Sequence, residues 1–304
     1  MKKLNKTTLF LILTFAISYS LAGIYTLAGG TYDNKLAFTL LGTVYMFVPA
    51  LCVVIVKKFI HKEKIKNDLQ ISFKLNRWFF VAWLIMPVIS FCTLGVSLLF
   101  PEVSYSPEMT GMLKRFEGSM TPEQIEQMKN SIATLPVSPI VLTLGQALLA
   151  GITVNAVAAF GEELGWRGFL LDEFNGMSFV KASVIIGLIW GIWHAPLILM
   201  GHNYPQHPQI GVLMMTGLCI FLTPMLLYIA IKSKSVIAAA IMHGTMNAIA
   251  GISIMLIDGG NDLTTGITGL AGFITLAIFL VAMFIFDRYI SKDRIITNKI
   301  HTRN

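Results

Sequence analysis

The chain has 304 residues, of which 55% are hydrophobic and 13% charged, and its mean hydropathy is +0.71. Soluble domains carry about 25% charged residues, so this composition excludes an ordinary soluble domain and indicates an all-α, polytopic membrane protein. The net charge of +7 would suit nucleic acid, but the basic residues cluster at predicted membrane flanks. We therefore expect membrane lipids as partners and no nucleic acid.

Apolar runs of about 20 residues are long enough to span a bilayer as helices. On that criterion the sequence predicts eight transmembrane helices, near residues 8–29, 36–56, 78–100, 140–174, 182–200, 210–231, 235–257 and 267–287. The fourth is read as one long helix, because it holds a polar cluster within its span and emerges only near Asp172.

The lysines and arginines predict the orientation of these helices. With a cytoplasmic N-terminus, 19 of the 23 fall in cytoplasmic segments, which is a strong positive-inside bias. The sequence thus predicts a multi-pass protein of the cell membrane with both termini cytoplasmic. The basic stretch 57–77 is expected to attract anionic lipid headgroups.

Three regions follow from this arrangement. Residues 1–139 form an N-terminal membrane region with an outside loop at 101–138, residues 140–257 form a polar-site core, and residues 258–304 hold the last helix and a basic cytoplasmic tail. Within the loop, Ser106-Pro107 and Thr121-Pro122 each place a capping hydroxyl before a proline. This pattern predicts the start of a short helix at each position.

Three polar clusters interrupt the apolar helices of the core: Glu162, Glu163 and Arg167; His194; and His243 with Asn247. Ionisable groups inside membrane helices are costly and mark functional sites. Counted from the cytoplasmic flanks at 1.5 Å per residue, Glu162, His194 and His243 all lie roughly 13–18 Å deep. Equal depth predicts that the three helices bring these groups into one site.

The spacing suggests individual roles. Glu163 and Arg167 are four apart on one helix face and should pair, whereas Glu162 is rotated by about 100° and is available as a general base. His243 and Asn247 share a face and can present two donors to one point. Structural alternatives remain open, namely a charged helix anchor, a hydrogen-bonded core histidine at His194, and polar contacts between helices.

These residues resemble the CPBP family of intramembrane proteases, which is named for CAAX proteases and bacteriocin-processing enzymes and includes the CAAX prenyl protease 2 type. The similarity rests on Glu162-Glu163-xxx-Arg167, an aromatic residue four before His194, and His243-xxx-Asn247, and it covers about residues 140–257. Trp190 stands where the family's second motif commonly has Phe.

The resemblance implies that Glu162 and His194 activate a water and that His243 and Asn247 stabilise the oxyanion, while Glu163 and Arg167 hold the site's shape. A metal is the open question, since Glu162, Glu163, His194 and His243 also form a plausible Zn²⁺ set. We favour catalysis without a cofactor, because the sequence has no His-Glu-xx-His motif and the two adjacent glutamates point apart.

The sequence therefore predicts an intramembrane endopeptidase, of the glutamate type or a metalloprotease, acting on a membrane-associated protein or peptide. A prenylated CAAX tail is one candidate substrate under the resemblance. Two other classes stay open: a non-catalytic membrane scaffold or bacteriocin immunity protein, and an ion-coupled transporter. Against the transporter, the chain shows no repeated halves.

Overall fold

The computed structural model describes residues 5–66, 69–107, 109, 111, 113, 121–134 and 137–301, and these residues form a helical bundle with one small two-stranded sheet. The helices are α1 Lys6–Leu27, α2 Lys35–Val53, α3 Arg77–Ser97, α4 Pro122–Ala133, α5 Pro139–Ile152, α6 Val154–Glu163, α7 Leu170–Glu173, α8 Phe179–Trp193, α9 Ala195–Leu199, α10 Pro208–Ser233, α11 Val236–Ile249, α12 Ile252–Met255 and α13 Leu270–Tyr289. Two π-helical segments, Val54–Ile60 and Leu164–Phe169, continue α2 and α6, and the strands are β1 Val103–Tyr105 and β2 Ile257–Gly259.

The all-α, polytopic fold class is confirmed, and each predicted transmembrane helix has a counterpart in the bundle. Among the described residues, six helices are long and apolar enough to cross a membrane, and α5 with α6 and α7 makes a seventh if the bent pair is one span. The remaining counterpart, α8, has only 15 residues. The chain is an integral multi-pass membrane protein, and the count of eight crossings stays a prediction.

The predicted fourth helix is broken, so the expectation of one continuous helix over 140–174 is wrong. It bends by 46° between α5 and α6, at Thr153, whose backbone is not helical. The bend lies where α11 comes close on both sides. Added side-chain atoms at Gly151 would collide with Thr245, and one at Gly244 would lie 2.6 Å from the backbone nitrogen of Ala156.

Helices α8 and α10 pack closely through Gly187 and Gly191. A side chain at Gly187 would lie 2.7 Å from the Cα of Ile220, and one at Gly191 would collide with Thr216. The two glycines are one turn apart, so they leave a smooth strip on which the backbone of α10 can rest. This contact fixes the part of α8 that carries Trp190.

The segments predicted to be cytoplasmic meet at one end of the bundle. The side chain of Lys57 is buried there, with its Nζ 3.5 Å from Asp172 and 3.6 Å from Glu63, which also pairs with Lys6. The hydrogen bond from Lys6 is the main reason that the pKa of Glu63 is below its ordinary value. These contacts join α1, α2 and α7.

The C-terminal tail folds back onto the same end. The backbone nitrogen of Ile300 donates to the carbonyl of Met177 at 2.8 Å, and Ile300 itself is buried. Asp287, at the end of α13, accepts from the backbone nitrogens of Ile295 and Ile296. The last region is therefore a docked segment rather than only a basic extension.

The opposite end carries the segments predicted to lie outside. Strands β1 and β2 pair antiparallel there, with Val103 opposite Gly259, and His207 lies 2.6 Å from the carboxylate of Asp262. The helix predicted over 235–257 corresponds to the apolar span Val236–Met255, which includes α11 and α12, and strand β2 begins at Ile257. The segments predicted to be cytoplasmic and those predicted to lie outside are thus at opposite ends of the bundle, as the charge-based topology requires. The cytoplasmic placement of the termini stays a prediction.

In the outside loop, the second predicted short helix is confirmed as α4. Its capping residue behaves as expected, since Thr121 Oγ1 accepts from the backbone nitrogen of Gln124 and the Gln124 side chain accepts from the backbone of Thr121. The reciprocal bonds form a capping box. The helix predicted after Ser106-Pro107 lies largely outside the described residues.

Candidate active site

The two glutamates lie at the end of α6, directly before a π-helical turn. Glu162 is 2% exposed and Glu163 is fully buried, and the turn Leu164–Phe169 that follows holds Arg167. π-Helical turns are rare and frequently occur at functional sites. The sequence therefore places three charged side chains on one interrupted helix in the interior of the bundle.

The predicted pairing of Glu163 with Arg167 is confirmed. Arg167 Nη1 donates to Glu163 Oε1 at 3.1 Å, and both side chains are fully buried. Arg167 Nη2 donates to Thr223 Oγ1 on α10 at 3.0 Å, and the guanidinium lies 4.2 Å from the centre of the Trp190 ring. Two nitrogens and one face of the cation thus have partners, which help to compensate a buried charge.

His243 reaches the same carboxylate from α11. Its Nδ1 lies 2.8 Å from Glu163 Oε1, so one oxygen of Glu163 receives both the imidazole and the guanidinium. A carboxylate can only accept, and the hydrogen bond therefore assigns the Nδ1 proton to His243 and leaves Nε2 facing elsewhere. Glu163 consequently orients two side chains of the site.

Trp190 connects the other two groups. Its indole Nε1 donates to Glu162 Oε2 at 2.6 Å, and its backbone carbonyl lies 2.8 Å from Nδ1 of His194. Since a carbonyl accepts, the His194 ring carries its proton on Nδ1 when neutral and has the lone pair on Nε2. Glu162 is therefore hydrogen-bonded rather than free, and its second oxygen remains for chemistry.

His194 sits at the break between α8 and α9, two residues before Pro196. The helix ends at Trp193 and resumes at Ala195, so Pro196 falls in the first turn of α9. A proline is tolerated there because the first amides of a helix have no internal partner. The break places His194 at a helix end, 8% exposed.

Asn247 differs from the other predicted site residues. It follows His243 by one helical turn on α11, and its side chain is exposed. The structure therefore brings Glu162, Glu163, Arg167, His194 and His243 together around Trp190 and leaves Asn247 at the edge. The ring of Trp190 lies 5.6 Å from that of His194 and 5.3 Å from that of His243.

The side chains do not fit the predicted zinc set. Among the described residues, no three His, Cys, Asp or Glu side chains are grouped so that they could hold a metal ion. Two of the four carboxylate oxygens are engaged within the protein, since Glu163 Oε1 receives Arg167 and His243 and Glu162 Oε2 receives Trp190. We therefore derive no step through a metal, and the absence of a cofactor stays a prediction.

Sequence reasoning missed the roles of Trp190 and Thr223. The motif marks Trp190 only as an aromatic position four before His194, and no motif includes Thr223. The sequence signal for Thr223 is a hydroxyl residue within an apolar helix. In the structure its Oγ1 donates to the carbonyl of Cys219. That bond aims its lone pairs at Arg167.

An apolar cavity of about 450 Å³ lies between α3, α10, α11 and α13. Its walls include Trp78, Met225, Met242 and Phe279, and none of the six predicted site residues lines it. The polar cluster is therefore separate from this cavity, although Met242 precedes His243 in the chain.

Comparison with known families fits this geometry. Residues 144–249 match the protein-family model described as type II CAAX prenyl endopeptidase Rce1-like. This segment is similar to the CAAX protease family. It contains all six predicted site residues and runs from α5 to the end of α11, so the resemblance predicted from the motifs is confirmed for the core of the bundle.

A relative extends the comparison. The CAAX prenyl protease 2 of Methanococcus maripaludis is 38% identical to this chain over 98 residues, which is 30% of this chain and 36% of that protein. The similarity thus spans about a third of the relative's length. The flanking helices, including α1 to α3 and α13, lie outside the family match.

Proposed function

We propose that this protein is an intramembrane endopeptidase that hydrolyses a peptide bond of a membrane-associated protein or peptide. The observation that carries the proposal is the buried cluster in which Trp190 contacts Glu162, His194 and Arg167 at once. A carboxylate and an imidazole that both contact Trp190 in an apolar interior suit the activation of water. The family of residues 144–249 supports the same reaction class.

In this proposal, Glu162 and His194 act on the same water. Trp190 occupies Oε2 of Glu162, so Oε1 takes the proton of the water, and His194 Nε2 accepts a second hydrogen bond from it. The water oxygen attacks the scissile carbonyl, and the proton passes from Glu162 to the leaving nitrogen. Because the groups are fixed in place before the substrate arrives, little reorganisation is needed at the moment of reaction.

His243 and Asn247 serve the other side of the carbonyl. Attack of water places negative charge on the carbonyl oxygen, and hydrogen-bond donors aimed at that point stabilise it. Donation from His243 Nε2 requires the ring to carry both protons, and the Glu163 carboxylate at Nδ1 compensates for the resulting charge. Asn247 supplies its side-chain amide from the exposed edge of α11.

The substrate class follows from the relative. The matched protein of Methanococcus maripaludis is named CAAX prenyl protease 2, so a prenylated peptide with a C-terminal CAAX sequence is the first substrate to test. A prenyl chain would also keep the peptide at the membrane, next to a site within the bundle. No metal is assigned a role here.

The experiment uses purified protein in liposomes with a farnesylated peptide ending in a CAAX sequence. Wild type should release a C-terminal fragment detectable by mass spectrometry. Glu162→Gln and His194→Ala should lose at least about 10²-fold in rate, in line with general acid–base catalysis, while their folded yields stay near that of wild type. The matched control is Glu126→Gln, which alters an exposed carboxylate on α4.

Two further arms separate the alternatives. Treatment with a strong zinc chelator should leave the rate unchanged, and a loss that added Zn²⁺ restores would overturn the metal-free mechanism. Cleavage by Glu162→Gln at the wild-type rate would remove Glu162 as the base. If wild type cleaves neither this peptide nor the membrane proteins of its host, a binding or scaffold role replaces the enzyme.

A further inference from the structure

Trp190 occupies a position that the catalytic roles proposed above leave unexplained. It is 1% exposed, and none of its atoms is assigned to the reaction. Even so, its indole nitrogen, its carbonyl and its ring face each contact a different polar side chain of the site. A buried Trp N–H usually finds a hydrogen-bond partner, and here that partner is the carboxylate assigned as the general base.

The indole N–H has a specific consequence for Glu162. The carboxylate of Glu162 can rotate about its last side-chain bond, so that either oxygen could face the reacting water. The bond of 2.6 Å from Trp190 Nε1 to Oε2 selects one rotation and directs the other oxygen away from the indole. A hydrogen bond to a charged acceptor is stronger than one between neutral groups, so the selection is firm.

The ring is itself held in place. Gly191, the next residue, lets α8 rest on Thr216 of α10, and the indole is stacked against the guanidinium of Arg167 at 4.2 Å. Arg167 is in turn fixed by Glu163 and Thr223. Glu162 and Glu163 are therefore oriented through one connected set of contacts that passes through Trp190.

We propose that Trp190 is a positioning residue for the hydrolysis, with its indole N–H setting the orientation of Glu162 relative to the water and to His194. This inference rests on the proposed function, because it assigns Glu162 to the base role. In this inference Trp190 acts through Glu162 and His194 and contributes no reacting atom.

The test compares Trp190→Phe with Trp193→Phe in the liposome assay. Phenylalanine keeps an aromatic ring and removes the N–H. Trp193 is a matched control, since it is also 1% exposed on α8 and its Nε1 donates to a side chain, Ser18 Oγ, at 2.8 Å. Each substitution removes a similar volume and one hydrogen bond, but only Trp190 is bonded to Glu162.

Trp190→Phe should lower kcat by roughly 10- to 100-fold, which is the range expected for losing a hydrogen bond to a charged group, and should leave KM within about twofold. Trp193→Phe should keep kcat within a few-fold of wild type at a comparable thermal stability. Equal kcat losses in the two variants, or a wild-type kcat in Trp190→Phe, would overturn the positioning role.

A second measurement does not depend on activity. The unfolding equilibrium constants of Trp190→Phe, Glu162→Met and the double variant should be non-additive by about tenfold, because the two residues share one hydrogen bond. Additive effects would mean that the bond is absent and would overturn the inference. If the effects are non-additive but the wild-type protein cleaves no substrate, the contact between Trp190 and Glu162 is supported and the proposed function is refuted.

Discussion

Replacing Arg167 by methionine tests the charge balance of the buried cluster. The side chain is fully buried, and its guanidinium contacts Glu163, Thr223 and the face of Trp190. Methionine keeps an apolar stem of similar length but supplies no charge or donor. Glu163 would then remain fully buried with His243 as its remaining charged or polar partner in the described contacts.

The expected loss is large. Removing one partner of a buried ion pair costs about 3–5 kcal/mol, because the other charge stays in the interior without compensation. Arg167→Met should lower the free energy of unfolding by this amount. The double variant Arg167→Met/Glu163→Gln should recover a substantial part of the loss, since the neutral amide no longer needs a cation.

The control is Lys129→Met, which removes one partner of the exposed pair between Lys129 and Glu126 at 3.9 Å. Pairs of this kind contribute about 0–1 kcal/mol. Unfolding is followed by circular dichroism in lipid–detergent micelles as denaturant is added. The reasoning is refuted if Arg167→Met loses no more than Lys129→Met, or if the double variant is no more stable than the single one.

Two more predictions concern residues at the edges of the site and of the bundle. Asn247→Ala should lower kcat by about 10²–10³-fold, as for other oxyanion donors. The melting temperature should not change, because the side chain is exposed. A rate within twofold of wild type in the liposome assay would exclude this role. Partial burial, with a smaller contribution from Lys35, lowers the pKa of His202 to about 4. The folded state therefore binds this proton less readily than the unfolded chain. The contribution of neutral His202 to stability is therefore full above the ordinary pKa of about 6.5 and is lost as the pH falls from there toward 4. In His202→Gln, the free energy of unfolding should depend less on pH in that window. Parallel pH profiles of the two proteins would contradict this prediction.

Much of the fold and part of the site follow from local sequence rules. The apolar runs located the helices, because the bilayer sets a minimum length for a spanning segment. The spacing of Glu163 and Arg167 predicted their ion pair, since residues four apart share a helix face whatever the helix packs against. Equal depth from the basic flanks predicted that Glu162, His194 and His243 would meet.

What the sequence did not predict depends on contacts between helices. The bond from Trp190 to Glu162 joins residues 28 apart, and the bond from His243 to Glu163 joins residues 80 apart. The spacing of residues along one helix does not predict such partners, because they depend on the rotation and tilt of α6, α8 and α11. The bend at Thr153 has the same origin: it lies where Gly151 and Gly244 allow α11 to approach, and no proline marks it.

The strands β1 and β2 were also beyond local rules. Each has three residues, and the pairs that they form, such as Tyr105 with Ile257, join distant parts of the chain. An alternating pattern needs more residues than this to be recognised. The docking of Ile300 beside Met177 is a similar case, since the tail reads only as a short basic segment.

The contacts of the cluster explain why its helices form one unit. Glu162 on α6 depends on Trp190 from α8, Glu163 depends on His243 from α11, and Arg167 depends on Thr223 from α10. A buried polar group without its partner is costly, so a shift of one helix leaves unpaired groups on another. The four helices must therefore reach their final packing together. It follows that substitutions at Gly191 or Gly244, which touch no polar side chain of the site but set the helix spacing, act on the geometry of Glu162 and His243 as directly as changes at the site itself.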